Sequence, residues 1–196
     1  MIRLIEQRAK IVFVDEACFT SNQIRARYWA KAGDASLKID KEKIGFKCIA
    51  VVAAIDVQGR VVALLQRDLS IKTSDFVDFL RALRTRMKKQ KTYIFLDNLQ
   101  VHHTHLVKDN AVKNNQVLIF NASYSSHLNP IERLWAVAKR QFIKDCVTDA
   151  DFRLQKEVKA LVKKSILEAS SETLEKHVFS CLKLMKIDVE RLRYFN

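Results

Sequence analysis

Two periods of apolar residues divide this chain of 196 residues. Short apolar runs dominate its first third. Residues 11–17, beginning Ile11-Val12-Phe13-Val14, read as a buried strand. Residues 23–29 (Gln23-Ile24-Arg25-Ala26-Arg27-Tyr28-Trp29) alternate with period two and predict a half-exposed strand. Residues 46–56 form another apolar run, and Gln58-Gly59 then supplies a turn into Val61–Leu65, so a hairpin is expected. The front of the chain reads as an antiparallel meander.

Helical spacing then takes over. Thr73 or Ser74 is suited to cap a helix running to about Lys89, with Phe76, Phe79, Leu80 and Leu83 on one face. A strand at 92–97, a helix near 104–114, a strand at 116–120 and a Ser- and Asn-rich loop at 121–129 follow. A helix opens at Pro130, the only proline, in the favoured first-turn position. Leu134, Val137, Ala138 and Phe142 supply its apolar positions, with Trp135 nearby. Two amphipathic helices close the chain. Leu154, Val158, Leu161, Val162 and Ser165 share a face in 152–168, and Leu174, Val178, Cys181, Leu182, Met185 and Leu192 share one in 172–195. Each must bury that face, by packing back on the domain or in a dimer. Hairpin strands followed by β-α units predict an α/β fold, a mixed sheet with helices on both faces. Three glycines and one proline argue against a loosely tethered second domain. The expected division is 1–145 as the main domain and 146–196 as a helical extension.

Charge narrows the function. Lys plus Arg is 35 against 22 Asp plus Glu, a formal +13. Such an excess points to a polyanion, nucleic acid before membrane. The run Arg81, Arg84, Arg86, Lys88, Lys89, Lys91 contains no acid, but by itself reads as a solvated helix end whose cations suit the helix dipole. Cys18, Cys48, Cys146 and Cys181 are scattered without a C-x-x-C, so reduced, mostly buried thiols are expected, not zinc ligands or disulfides. No apolar stretch reaches the roughly 18 residues of a membrane span. The first residues lack the apolar region of a signal peptide. An intracellular, DNA-associated protein is expected.

Three acids stand out. Asp15 follows Ile11–Val14, Asp97 follows Tyr93-Ile94-Phe95-Leu96, and Glu132 opens the helix after Asn129-Pro130. Carboxylates at strand ends are costly to desolvate unless something pairs with them, and Mg²⁺ and Mn²⁺ prefer oxygen ligands. If the first and fourth strands are neighbours, Asp15 and Asp97 come together and Glu132 reaches them from the side. Two cations held there suit phosphoryl transfer on DNA.

The words around these acids carry a resemblance. Asp97-Asn98-Leu99-Gln100-Val101-His102-His103 resembles the second-aspartate motif of the mariner-like superfamily of insertion-sequence transposases. Tyr124-Ser125-Ser126-His127-Leu128-Asn129-Pro130-Ile131-Glu132-Arg133-Leu134-Trp135 is similar to that family's glutamate motif. Val12-Phe13-Val14-Asp15-Glu16 looks like its first-aspartate strand, and Arg27-Tyr28-Trp29-Ala30-Lys31-Ala32-Gly33 like a segment that follows it. The 34 residues between Asp97 and Glu132 suit a D-D-34-E triad.

The resemblance implies an RNase H-like mixed five-stranded sheet flanked by helices. It implies hydrolysis at transposon ends, followed by attack of the liberated 3′-hydroxyl on target DNA. Asp15, Asp97 and Glu132 are carried over as ligands of two Mg²⁺ or Mn²⁺ ions. Asn98 and His102 match motif positions and are expected beside the ligands or the DNA, unless they merely cap or pack the loop. Asn129 is expected to cap the helix bearing Glu132, Trp135 to be core, Glu16 to point to the opposite face in support, and His103 and His105 to be surface. Candidate phosphate contacts are Arg25, Arg27, Lys31, Arg133, Lys139 and Arg140. Ser126 stands where members often have proline, and Asn121-Ala122-Ser123 also lacks one, so a looser loop before Glu132 is expected. Full-length members carry N-terminal helix-turn-helix domains, whereas about ten residues precede the first strand here. A separate helix-turn-helix polypeptide is one expected source of end recognition. A homodimer is expected because two ends must be brought together. Insertion-sequence likeness favours the prokaryotic cytoplasm over the nucleus. An RNase H-like nuclease without strand transfer and a non-catalytic DNA-binding derivative of a transposase are the competing readings.

Overall fold

The alternation of the apolar runs is explained by what lies on each side of them. In a computed structural model, which describes residues 9–24, 46–148, 155–169 and 172–193, five strands form one sheet. They are β1 (Lys10–Thr20), β2 (Cys48–Asp56), β3 (Val61–Asp68), β4 (Thr92–Leu96) and β5 (Gln116–Phe120), in the order β3-β2-β1-β4-β5. The first three are antiparallel, and β4 and β5 add parallel to β1. β1 and β4 are therefore neighbours, with Val12 opposite Ile94 and Phe13 opposite Phe95.

Side chains of β1 part in two directions, as the pleat requires. Ile11, Phe13, Ala17 and Phe19 join one core with Ile131, Leu134, Trp135, Ala138 and Phe142 of α3 (Ile131–Thr148). Val12 and Val14 join a second with Phe76, Phe79, Leu80 and Leu83 of α1 (Thr73–Arg86) and Val107 and Ala111 of α2 (His105–Lys113). From Ile49 to Asp56, β2 is buried throughout because both faces are covered. Val158, Leu161, Val162 and Ile166 of α4 (Gln155–Ala169) and Leu174, Val178 and Met185 of α5 (Glu172–Arg193) lie in the same core as α3. α3 itself runs past residue 145 to Thr148.

Local chemistry corrects two sequence expectations. Neither Thr73 nor Ser74 caps α1. Lys72 is the cap position, and its backbone N–H donates to Asp75 Oδ2 at 3.0 Å, a carboxylate in the first turn where the helix dipole favours it. The helix stops at Arg86, not Lys89, because Lys88 and Lys89 adopt left-handed backbone. Gln23, expected to begin a strand, belongs to a single 3₁₀ turn, Ser21–Gln23, in which its side-chain carbonyl accepts from Thr20 N at 3.3 Å. The rest of that expected strand, with Arg25, Arg27 and Lys31, lies outside the described residues, as does Leu154.

The hairpin turn needs its glycine twice over. Gly59 sits at φ +73°, and a Cβ there would lie 2.9 Å from Glu175 N in the first turn of α5. The cysteines are all free: Cys146 and Cys181 are buried, Cys48 is partly covered and Cys18 is exposed.

Candidate active site

Parallel pairing of β1 with β4 stops at Phe13. β4 itself ends at Leu96 while β1 runs on to Thr20 beside β2, and a cleft of about 310 Å³ opens past the end of β4. Asp15, Asp97 and Glu132 all line it, beside Asn98, Asn121 and Asn129. Asp15 is not at a strand end, as the sequence suggested, but in the middle of β1, two residues beyond its last pairing with β4; Asp97 directly follows β4, and Glu132 sits in the first turn of α3.

Asp15 is the most constrained. Burial, then repulsion from Glu132 and from Glu16, push its carboxyl from 3.8 up to about 7. Trp135 Nε1 donates to Asp15 Oδ2 at 3.0 Å. Trp135 lies three residues after Glu132 and so shares its side of the helix. It is core, as expected, and it also fixes a carboxylate, which the sequence reading missed. The Glu132 carboxyl is likewise raised, first by burial and also by Asp97, with Lys139 opposing.

Asp97 is held from behind. His102 is fully buried, with Nδ1 3.0 Å from Asp97 Oδ1 and Nε2 2.9 Å from Glu16 Oε1. Its ring lies 4.4 Å from that of Phe76. Burial works against charge on the imidazole, but hydrogen bonds to Asp97 and Glu16 and their attraction outweigh it, pushing His102 up to about 9. Both ring nitrogens then donate. Donor atoms of Glu16, Asp97 and His102 lie within 4.8 Å of one another, the spacing of a metal site. In the metal-free fold the trio is an ion-paired clamp, with His102 between the two carboxylates. Glu16 does point to the opposite face of the sheet from Asp15, but it forms one end of this clamp, a role that sequence adjacency to Asp15 does not reveal. Its Oε2 is buried without a hydrogen-bond partner.

Asn98 lines the cleft, donating from Nδ2 to Asn121 O at 3.4 Å and paired through Oδ1 with His103 Nε2 at 2.7 Å. His103 stacks on Phe120 at 4.1 Å and is half-buried, whereas His105 is exposed. Asn129 does not cap α3 with its side chain, contrary to expectation. Its backbone carbonyl accepts from Glu132 N at 3.1 Å, while Nδ2 donates 3.1 Å to Val14 O. The reason is the strand ladder. With β4 ended, that carbonyl on β1 needs another donor, and the buried amide provides it. The loop before Glu132 is tied down without its prolines: Asn121 Nδ2 donates to Ser125 O, and Asn121 Oδ1 accepts from Ala122 N at 2.9 Å. Tyr124 in that loop is fully exposed at the cleft, with φ +58°.

Of the expected phosphate contacts, Lys139 is near enough to Glu132 to act on its charge, and Arg133 acts on His177 of α5. Arg140 is exposed farther along α3.

The donor set fits hard divalent cations. Several carboxylate oxygens face one cleft, and Asp15 is held near 7 for want of positive charge. No helix among the described residues is long and apolar enough to cross a membrane.

Comparison with solved structures gives the same fold. The Mos1 strand transfer complex matches with a TM-score of 0.65 at 15% identity, over 94% of this chain and 57% of that one. The Mos1 transposase catalytic domain with raltegravir and Mn matches with a TM-score of 0.57 at 14% identity, over 92% and 86%. The catalytic domain of Mos1 mariner transposase gives a TM-score of 0.54 at 14% identity, over 93% and 88%. The chain thus spans little more than half the length of the first of these. The five-stranded mixed sheet with flanking helices is similar to that RNase H-like catalytic domain. Curated protein sequences give no match. A family profile does match residues 10–153, most of the chain, and by it the chain belongs to the DDE superfamily endonucleases.

Proposed function

We propose that this chain is the catalytic domain of a mariner-like DNA transposase, which cuts at transposon ends and joins the liberated 3′-hydroxyl to target DNA. The observation that carries the reading is the convergence of Asp15, Asp97 and Glu132 on one cleft, with Asp15 raised to about 7 by burial and by Glu132. The motif words around those acids and the likeness to Mos1 complexes support it.

In this reading Asp15, Asp97 and Glu132 hold two Mg²⁺ or Mn²⁺ ions. Bound cations supply Lewis-acid polarisation of the phosphate and stabilise the leaving oxygen. The chain supplies positioning. Trp135 holds one oxygen of Asp15, leaving the other for the cleft. His102 holds Asp97 from the opposite side of the sheet. Asn129 ties the start of α3, and so Glu132, to β1. Lys139 and Arg140 offer charge to phosphates flanking the scissile one. The working unit is a homodimer, and end recognition comes from a helix-turn-helix region on the same or a separate polypeptide.

The test is cleavage of a labelled duplex carrying the element's end, in Mg²⁺, Mn²⁺ or EDTA, beside Asp97→Asn. The expected result is metal-dependent product with a 3′-hydroxyl that joins to a second duplex, abolished in the variant. Cleavage without joining would make the chain a nuclease. Duplex binding that Asp97→Asn leaves intact, with no cleavage in either metal even after a helix-turn-helix domain is added in trans, would make it a binding protein.

A further inference from the structure

The basic run that closes α1 is not isolated in the fold. Lys89 N donates to Arg84 O at 3.0 Å and Lys88 N to Thr85 O at 3.1 Å, the two bonds of a Schellman ending. Lys88 and Lys89 are left-handed, at φ 53° and 58°. Glycine is the usual residue at the first of these positions, because a Cβ is disfavoured there. Lysine stands at both.

Two contacts bring other chain ends to the same place. Arg84 Nη1 donates to Asn114 Oδ1 at 3.1 Å, seating the end of α2 and Lys113 beside α1. Thr92 N donates to Asn115 O at 3.1 Å, bringing in Lys91, and Lys10 pairs with Thr92 across the sheet. Lys10, Arg86, Lys88, Lys89, Lys91 and Lys113 thus crown one end of the sheet, all exposed. None makes an ion pair among the described residues; Lys91 only lies over the Tyr93 ring, at 5.4 Å. Asp97 closes the other end of β4, about 17 Å away at the rise of a strand.

Helix dipoles account for the cations at the ends of α1 and α2, but not for Lys10 and Lys91, brought in by β1 and β4. Nor do they account for lysine at a glycine position. Cations on long stems, drawn from four elements and without an ion pair among the described residues, suit a ribbon of phosphates, which they contact without reading sequence.

We propose that this edge is a second DNA-backbone site, holding a stretch of duplex other than the one being cut. The proposal rests on the transposase reading and adds to it a DNA contact outside the cleft.

The test uses the full chain and a short duplex of arbitrary sequence, with affinity followed against salt. The edge variant carries Arg86→Gln, Lys88→Gln and Lys89→Gln. A charge-matched control carries Lys156→Gln, Lys163→Gln and Lys164→Gln on α4. The edge variant is expected to bind about tenfold or more weakly, with a log–log salt slope shallower by roughly 2–3, since each phosphate contact contributes about 0.9. The control is expected to stay near wild type. Lys88→Gly alone separates contact from fold: it should melt higher yet bind more weakly. Equal losses in edge and control variants, or a loss that follows unfolding, would overturn the proposal. An edge variant that binds as wild type would overturn it while leaving the cleavage reading standing. A wild type that binds no duplex would overturn the edge site and leave the cleavage reading to its own assay, and capture by phosphatidylserine vesicles in place of duplex would overturn it by making the edge a lipid surface.

Discussion

Each carboxylate of the cleft is held differently, and the difference decides what its substitution does. Asp97 is clamped by His102, which also neutralises Glu16. His102→Gln would leave two partly buried carboxylates without their shared cation. Removing one partner of a buried charged group costs about 3–5 kcal/mol, and Asp97 being only partly covered argues for the lower end. The expected outcome is a melting temperature well below wild type and metal-dependent cleavage reduced at least tenfold; unchanged stability would mean that the clamp is not charged. Tyr124 asks the opposite question. Its left-handed backbone costs on the order of 1 kcal/mol, and its side chain covers nothing. Tyr124→Gly should therefore stabilise slightly in thermal melts. If the ring stacks on DNA at the cleft, the same variant should bind DNA more weakly. The three acids were legible because distinctive words surround them. The clamp was not, because whether His102 meets Asp97 and Glu16 depends on the 3₁₀ turn at Gln100–His103 and on the register of β1 with β4. The bond from Trp135 to Asp15 had a signal in the three-residue spacing from Glu132, but its acceptor lies 120 residues earlier in the chain.

At the scale of elements, apolar runs revealed every described strand because each is covered on one or both faces. Boundaries were less legible, since they depend on backbone bonds. The end of α1 is set by two left-handed lysines, and its start by Asp75 rather than by a hydroxyl. The β2–β3 turn shows how one element constrains another. Asp56 Oδ1 accepts from Gln58 N at 3.0 Å and Arg60 N at 2.9 Å, closing the turn, and α5 then packs on Gly59. Gly59→Ala meets both a disfavoured φ and a backbone nitrogen at 2.9 Å, so a loss of about 2–3 kcal/mol is expected in denaturant melts. A loss below about 1 kcal/mol would indicate that α5 moves aside, because the φ penalty alone is then all that remains. The sequence shows a turn at Gln58-Gly59 but cannot show that α5, more than a hundred residues later, lands on it.

The whole chain carries a formal +13 while its cleft gathers carboxylates, and proton linkage makes the consequence measurable. Asp15 titrates near 7 in the fold against 3.8 in an unfolded chain, so the folded state holds the extra proton between those values. Its contribution is fully present below about 3.8 and is lost as pH rises through 7. His102 titrates near 9 against 6.5, so its contribution is present below 6.5 and is lost as pH rises through 9. Both act in the same direction. In EDTA, stability should fall steadily from pH 5 to 9, with Asp15 accounting for roughly 2–3 kcal/mol by linkage. Asp15→Asn should abolish the lower part of that fall and raise the metal-free melting temperature at neutral pH, while His102→Gln should abolish the upper part. Divalent ions bind the deprotonated carboxylates, so the stabilisation by Mg²⁺ or Mn²⁺ should grow as pH rises from 5 to 8 and vanish in Asp15→Asn. The whole scheme is checked by thermal melts of the three proteins across pH, with EDTA and with each metal. A wild type whose metal-free stability stayed level from pH 5 to 8 would mean that Asp15 is already ionised at pH 5, and the charge conflict inferred for the cleft would be wrong.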